Sequence, residues 1–96
     1  MQSRRDRHWR ITVNYYGRVQ GVGFRWQVQQ IAKSFVCTGY VKNMTDGSVE
    51  LLVEGNEDQA SHMVDEVNHR MSEYWHKKKT DERAGDAHFS EFIIQQ

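Results

Sequence analysis

Apolar residues follow two alternating rhythms along this chain. Over residues 9–16, Ile11, Val13 and Tyr15 fall on one side, and Arg10, Thr12 and Asn14 fall on the other. A period of two is that of a strand buried on one face. The period changes at residue 24, where Phe24, Val28, Ile31, Ala32 and Phe35 form one helical stripe, with Gln27, Gln29, Gln30 and Lys33 on the wet side. Gly39 separates this helix from an extended segment at 40–43. Residues 43–47 read as a turn built on the Asp46-Gly47 pair, and 48–54 alternate again, with Val49, Leu51 and Val53 inward and Ser48, Glu50 and Glu54 outward. These two strands therefore pair antiparallel. Gly55 closes the second of them, and Asn56 followed by Gln59 is the start signal of a helix, whose stripe is Ala60, Met63, Val64, Val67 and Met71. Residues 74–79 read as a polar edge strand, whose lysines discourage pairing with another chain. Residues 80–87 read as loop, and 89–95 as a last strand with Phe92 and Ile94 inward.

The order is β-α-β-β-α-β, with room for one strand to be split in two. It predicts an α+β fold, the ferredoxin-like sandwich, in which two helices cover one face of an antiparallel sheet. Length and composition agree with one small unit. The chain has 96 residues, which we divide into a disordered basic tail at 1–8 and a single domain at 9–96. Leu, Ile, Val and Phe supply only twenty residues, but three Trp, four Tyr and four Met add apolar volume. The mean hydropathy of −0.85 implies a thin core under a polar surface.

Charge and cysteine content exclude several classes. Thirteen basic residues balance thirteen acidic ones, whereas a dedicated nucleic-acid binder carries a basic excess. A single cysteine, Cys37, rules out an intrachain disulfide framework. No apolar run approaches the ~20 residues of a membrane span. No apolar stretch follows Arg4, Arg5, Arg7 and Arg10 as a secretory signal requires, so the expected compartment is the cytoplasm.

Chemistry concentrates at the junction of the first strand and first helix. Residues 17–23 contain three glycines and lead directly into Phe24 and Arg25. A tight turn feeding a helix N-terminus aims backbone N–H groups at one spot, and the helix dipole favours negative charge there. The Arg25 guanidinium adds a planar, permanently charged fork suited to phosphate oxygens. Two readings stand on spacing alone: an oxyanion or phosphate cradle, and a plain strand-to-helix turn with Arg25 in a surface ion pair. Asn43 stands before the hairpin turn, where its amide can both donate to and accept from a water; an ordinary turn asparagine bonding its own backbone fits as well.

The two blocks that contain these residues resemble a known signature. Gly17-Arg18-Val19-Gln20-Gly21-Val22-Gly23-Phe24-Arg25, and then Gly39-Tyr40-Val41-Lys42-Asn43-Met44-Thr45-Asp46-Gly47-Ser48-Val49-Glu50, look like the paired motifs of the acylphosphatases. The likeness runs from about Ile11 to Gly55. It implies a monomeric enzyme of ferredoxin-like fold that hydrolyses the carboxyl–phosphate bond of small acyl phosphates, with no metal and no organic cofactor. By that analogy the backbone of Gln20, Gly21, Val22, Gly23 and Phe24 and the side chain of Arg25 bind the phosphoryl group, and Asn43 orients the attacking water. The chain departs from the family at Phe35-Val36, where many members have Leu-Gly, at Trp26 in place of a smaller aromatic, and over 70–79, which lacks a Gly-Pro turn. A regulatory domain that binds anions without turnover, and a sheet that binds single-stranded RNA, are the readings from other classes.

Other signals have plainer explanations. His62, His69 and His76 recur every seven residues, which on a helix spaces them ~10 Å apart, too far for one metal ion. Trp75 with Lys77, Lys78 and Lys79 reads as a solvated edge rather than a base-stacking patch, Cys37 as a small buried residue, and Asp46 and Glu50 as turn and strand positions rather than an acid–base pair.

Overall fold

A computed structural model describes residues 8–96; residues 1–7, nearly all of the segment read as a basic tail, lie outside the described residues. His8, counted with that tail from sequence, is the first residue of β1 (His8–Gly17). Then follow α1 (Phe24–Ala32), β2 (Cys37–Asn43), β3 (Val49–Asn56), α2 (Glu57–Arg70), β4 (Trp75–Ala84) and β5 (Phe92–Gln95). The strands form one sheet in the order β4-β1-β3-β2-β5.

The core lies where the two periodicities meet. Ile11, Val13 and Tyr15 of β1, Val41 of β2, and Val49, Leu51 and Val53 of β3 are buried on one face. Phe24, Val28, Ile31 and Ala32 of α1 and Ala60, Met63, Val64 and Val67 of α2 are buried against it. All of these residues but Val41 belong to a stripe read from sequence; the sequence reads 40–43 only as extended. Burying such a side chain is worth roughly 1.5–3 kcal/mol. Asn56 caps α2 as its spacing implies, its side-chain oxygen accepting from the Gln59 N–H at 2.8 Å. The reciprocal half of a capping box is not made, because the Gln59 side chain accepts instead from the N–H of Val36.

Four features of the sheet differ from the sequence reading, and α1 ends at Ala32, short of Phe35. Gly39 is not a separator but a residue within β2, at φ 139°, and a Cβ there would stand 1.9 Å from the Leu52 carbonyl oxygen of β3. Only glycine lets the two strands close at that point. The polar strand does not stop at Lys79. It continues to Ala84, through Thr80 and the charged Asp81, Glu82 and Arg83, because its antiparallel ladder with β1 runs unbroken from Tyr16 opposite Lys77 to Trp9 opposite Ala84. Backbone pairing here overrides a composition that favours loop. The last strand is shorter than 89–95, and it pairs parallel with β2, so the ferredoxin-like sheet is mixed rather than purely antiparallel.

Glu54 is the fourth correction. It does point away from the helices, but it is fully buried. The reason is topological. β4 and β5 occupy opposite edges, so residues 85–91 must cross the sheet face that the helices leave open. The Glu54 carboxylate lies under that crossing: one oxygen accepts from the N–H groups of His88 (2.9 Å) and Phe89 (3.2 Å), the other from Arg10 Nε (2.9 Å) and Nη2 (2.7 Å). Burial pushes this carboxyl up, but the His88 N–H, the Arg10 guanidinium and the Phe89 N–H outweigh it and hold it below the ordinary carboxylate range.

Candidate active site

Sheet topology brings the two sequence blocks to one end of the molecule. β1 and β2 are each antiparallel to β3, so they run parallel to one another and their C-terminal ends emerge together. Tyr15 and Asn43 both stand opposite Val49, which sets Asn43 level with the end of β1 about 10 Å away, two strand spacings.

The loop between β1 and α1 is pinned at both sides. Val19 is buried in the core, and the Gln20 side-chain amide donates to the carbonyls of Met44 (2.8 Å) and Ser48 (2.9 Å) in the β2–β3 turn. That turn is closed by Asp46, which accepts from both the N–H (3.0 Å) and the hydroxyl (2.6 Å) of Ser48. Between these anchors Gly21 (φ 77°) and Gly23 (φ 79°) take the left-handed conformation. A Cβ at either would meet nothing within 4 Å, so glycine serves backbone conformation here, and the space above it is open. Gly23 is the N-cap of α1 and offers no side chain to the first turn. The first turn's N–H groups therefore lack both intrahelical and capping acceptors, at the positive end of the helix dipole.

These groups open into a cleft of about 180 Å³. Gly21, Gly23, Arg25 and Asn43 supply its polar wall; Val19, Phe24, Trp26 and Ile94 supply the apolar one. Arg25, the second residue of α1, is steadied by a bond from Nη1 to the carbonyl of Gln95 in β5 (3.3 Å), which leaves most of its donors to the cleft. The arrangement can receive a small anion between backbone N–H groups and a guanidinium, with a carboxamide alongside.

Of the residues singled out from sequence, Gly21, Gly23, Phe24, Arg25 and Asn43 line this cleft. Gln20 and Val22 do not: the Gln20 side chain is committed to the β2–β3 turn, and Val22 packs on the core. The sequence reading assigns Trp26, Val19 and Ile94 no part in the site. An exposed tryptophan beside Arg25 was an available signal for the first; Ile94 reaches the cleft only through the crossing of residues 85–91, which no local pattern encodes.

The side chains set aside earlier have structural work. Cys37, read from sequence as a small buried residue, is half-buried, and that burial pushes its thiol up to about 11. Asp46 holds the turn, and its carboxyl is lowered by the Ser48 hydroxyl and N–H. Glu50 accepts from the Tyr40 hydroxyl at 2.7 Å. Lys78 lies over the Trp75 ring and Lys77 over that of Tyr16. Among the described residues no cluster of three or more His, Cys, Asp or Glu side chains could hold a metal ion, and no helix is long and apolar enough to cross a membrane.

Comparison with known proteins places this geometry. An acylphosphatase from Lactobacillus johnsonii is 44% identical over 57 residues, which span 59% of this chain and 63% of that relative. The aligned stretch is thus under two thirds of the relative's length. The crystal structure of acylphosphatase from Bacillus subtilis superposes with a TM-score of 0.79 at 31% identity, covering 92% of this chain and 99% of that one. The structure of an acylphosphatase from Coxiella burnetii gives 0.71 at 26% identity, over 99% and 100%. The acylphosphatase family model matches residues 11–94, from within β1 to within β5, and the chain belongs to that family.

Proposed function

We propose that this protein hydrolyses the carboxyl–phosphate bond of acyl phosphates, releasing a carboxylate and inorganic phosphate. The observation that carries the reading is the single cleft lined by Gly21, Gly23, Arg25 and Asn43. The uncapped N–H groups that open α1 and the Arg25 guanidinium hold the phosphoryl oxygens, and the Asn43 carboxamide orients a water for in-line attack on phosphorus. Gln20 serves the loop through its side chain by tying it to the β2–β3 turn, and its backbone lies in the phosphate-binding bend.

Few groups suffice for this reaction. The leaving carboxylate has a conjugate acid of pKa ~4 and departs without protonation, so no general acid is needed. Phosphoryl transfer through a loose transition state is mostly positioning and stabilisation of charge on the equatorial oxygens. Fixed N–H dipoles and one guanidinium supply that stabilisation without reorganising. The water's proton passes to a phosphoryl oxygen of the substrate, which accounts for a cleft lined by neither a histidine nor a carboxylate. Every group invoked belongs to one chain, so a monomer is sufficient.

The test is hydrolysis of benzoyl phosphate, with inorganic phosphate as inhibitor. Turnover with competitive inhibition by phosphate is the expected result. Phosphate binding without turnover would instead favour a regulatory anion-binding domain.

A further inference from the structure

The cleft has a second, apolar side that the phosphate chemistry does not use. The cleft holds about 180 Å³ and is half open to solvent, so a phosphoryl group seated against the loop and Arg25 leaves its acyl group at the rim. Trp26 stands on that rim at 58% exposure, one of the few large apolar side chains left open to solvent, and it directly follows Arg25 in the first turn of α1. Side chains of a helix lean toward its N-terminus, which tips the indole toward the glycine loop. Ile94 of β5 lines the same cleft. No lysine, aspartate or glutamate lines it.

Resting on the acyl phosphate reading above, we infer that Trp26 and Ile94 form an acyl-side wall that selects substrates with a flat aromatic or extended apolar acyl group over acetyl phosphate. The indole offers a large, rigid surface that loses little rotamer freedom when covered. An aromatic ring against it gains by area burial and by ring–ring geometry.

The test uses two methylene isosteres that cannot be hydrolysed, phenacylphosphonate for benzoyl phosphate and acetonylphosphonate for acetyl phosphate. Their dissociation constants are measured on the full chain by titration calorimetry, with inorganic phosphate as competitor. The wild type is expected to bind the phenacyl ligand about tenfold more tightly. Trp26→Ala is expected to bring the ratio to about one, the loss falling on the phenacyl ligand, and Trp26→Phe to restore part of it. An unchanged ratio in Trp26→Ala, or equal weakening of both ligands, overturns the acyl-side wall while leaving the phosphate site standing. Failure of both phosphonates and of inorganic phosphate to bind overturns the phosphate site itself and this inference with it.

Discussion

The two edges of the sheet make opposite contributions. β4 is ten residues long, pairs with β1 along nearly its whole length and has no buried residue. β5 is four residues long and half-buried throughout, and it pairs parallel with β2. Yet the long edge lines no part of the cleft, whereas the short one supplies Ile94 to its wall and the Gln95 carbonyl to Arg25. The difference lies in how each strand reaches its place. β4 follows α2 onto β1 and is held by backbone pairing, with Lys77 and Lys79 lying over the Tyr16 ring and Lys78 over that of Trp75. β5 has to be delivered across the open face, and side chains hold the delivery: Glu54 beneath His88 and Phe89, and the Phe89 ring edge-on to Tyr40 at 5.5 Å. An edge's share in function is set here by what it brings to the end of the sheet, not by the length of its ladder.

Substitutions at the β5 side should be severe and those at β4 mild. Arg25→Ala removes the one cationic group of the cleft and is expected to lower kcat/KM by about a thousandfold, or about 4 kcal/mol, on benzoyl phosphate. A loss below tenfold would detach Arg25 from the transition state. Glu54→Gln leaves the Arg10 guanidinium without its buried partner, at a cost of about 3 kcal/mol in urea unfolding.

The wild type should show the same weakness in acid. A carboxyl held below its unfolded value contributes stability that is complete above that value and is lost as pH falls through the folded one. Unfolding free energy should therefore decline below pH ~4, and Glu54→Gln should decline less steeply. Identical slopes for the two proteins would separate Glu54 from acid lability.

Under the proposed role of its carboxamide in orienting the water, Asn43→Ala is expected to lower kcat about a hundredfold with KM nearly unchanged. A rise in KM alone would remove that role. At the β4 edge, exposed Thr80→Ala should change stability by no more than ~0.5 kcal/mol and leave kcat/KM as it was. A tenfold loss of activity there would erase the contrast between the edges.

How much of this was legible in the chain varies by residue. Both helical stripes, the inward faces of β1 and β3, the Asn56 cap and the glycine-rich bend could be read directly, because each depends on local spacing. The extension of β4 through Thr80, Asp81, Glu82 and Arg83 could not be read, because those residues are strand only by pairing with β1. Glu54 looked like a surface carboxylate, since alternation reports which face a residue takes and not what covers that face. Gln20 looked like part of a binding loop, and only the fold shows its side chain spent on the β2–β3 turn.

The amino-acid order by itself determined the two helices, the inward faces of β1 and β3, the bends at Gly21 and Gly23, and the presence of Arg25 and Asn43 beside turns, all through interactions spanning a few residues. Tertiary structure alone decided that Asn43 stands level with the end of β1, that β5 closes the far edge, and that Trp26 and Ile94 share a cleft with Arg25. Those outcomes depend on strand order and on a crossing held by a buried carboxylate. Such long-range pairings leave no period in the sequence, because the contacts that reward them form only once the sheet has assembled.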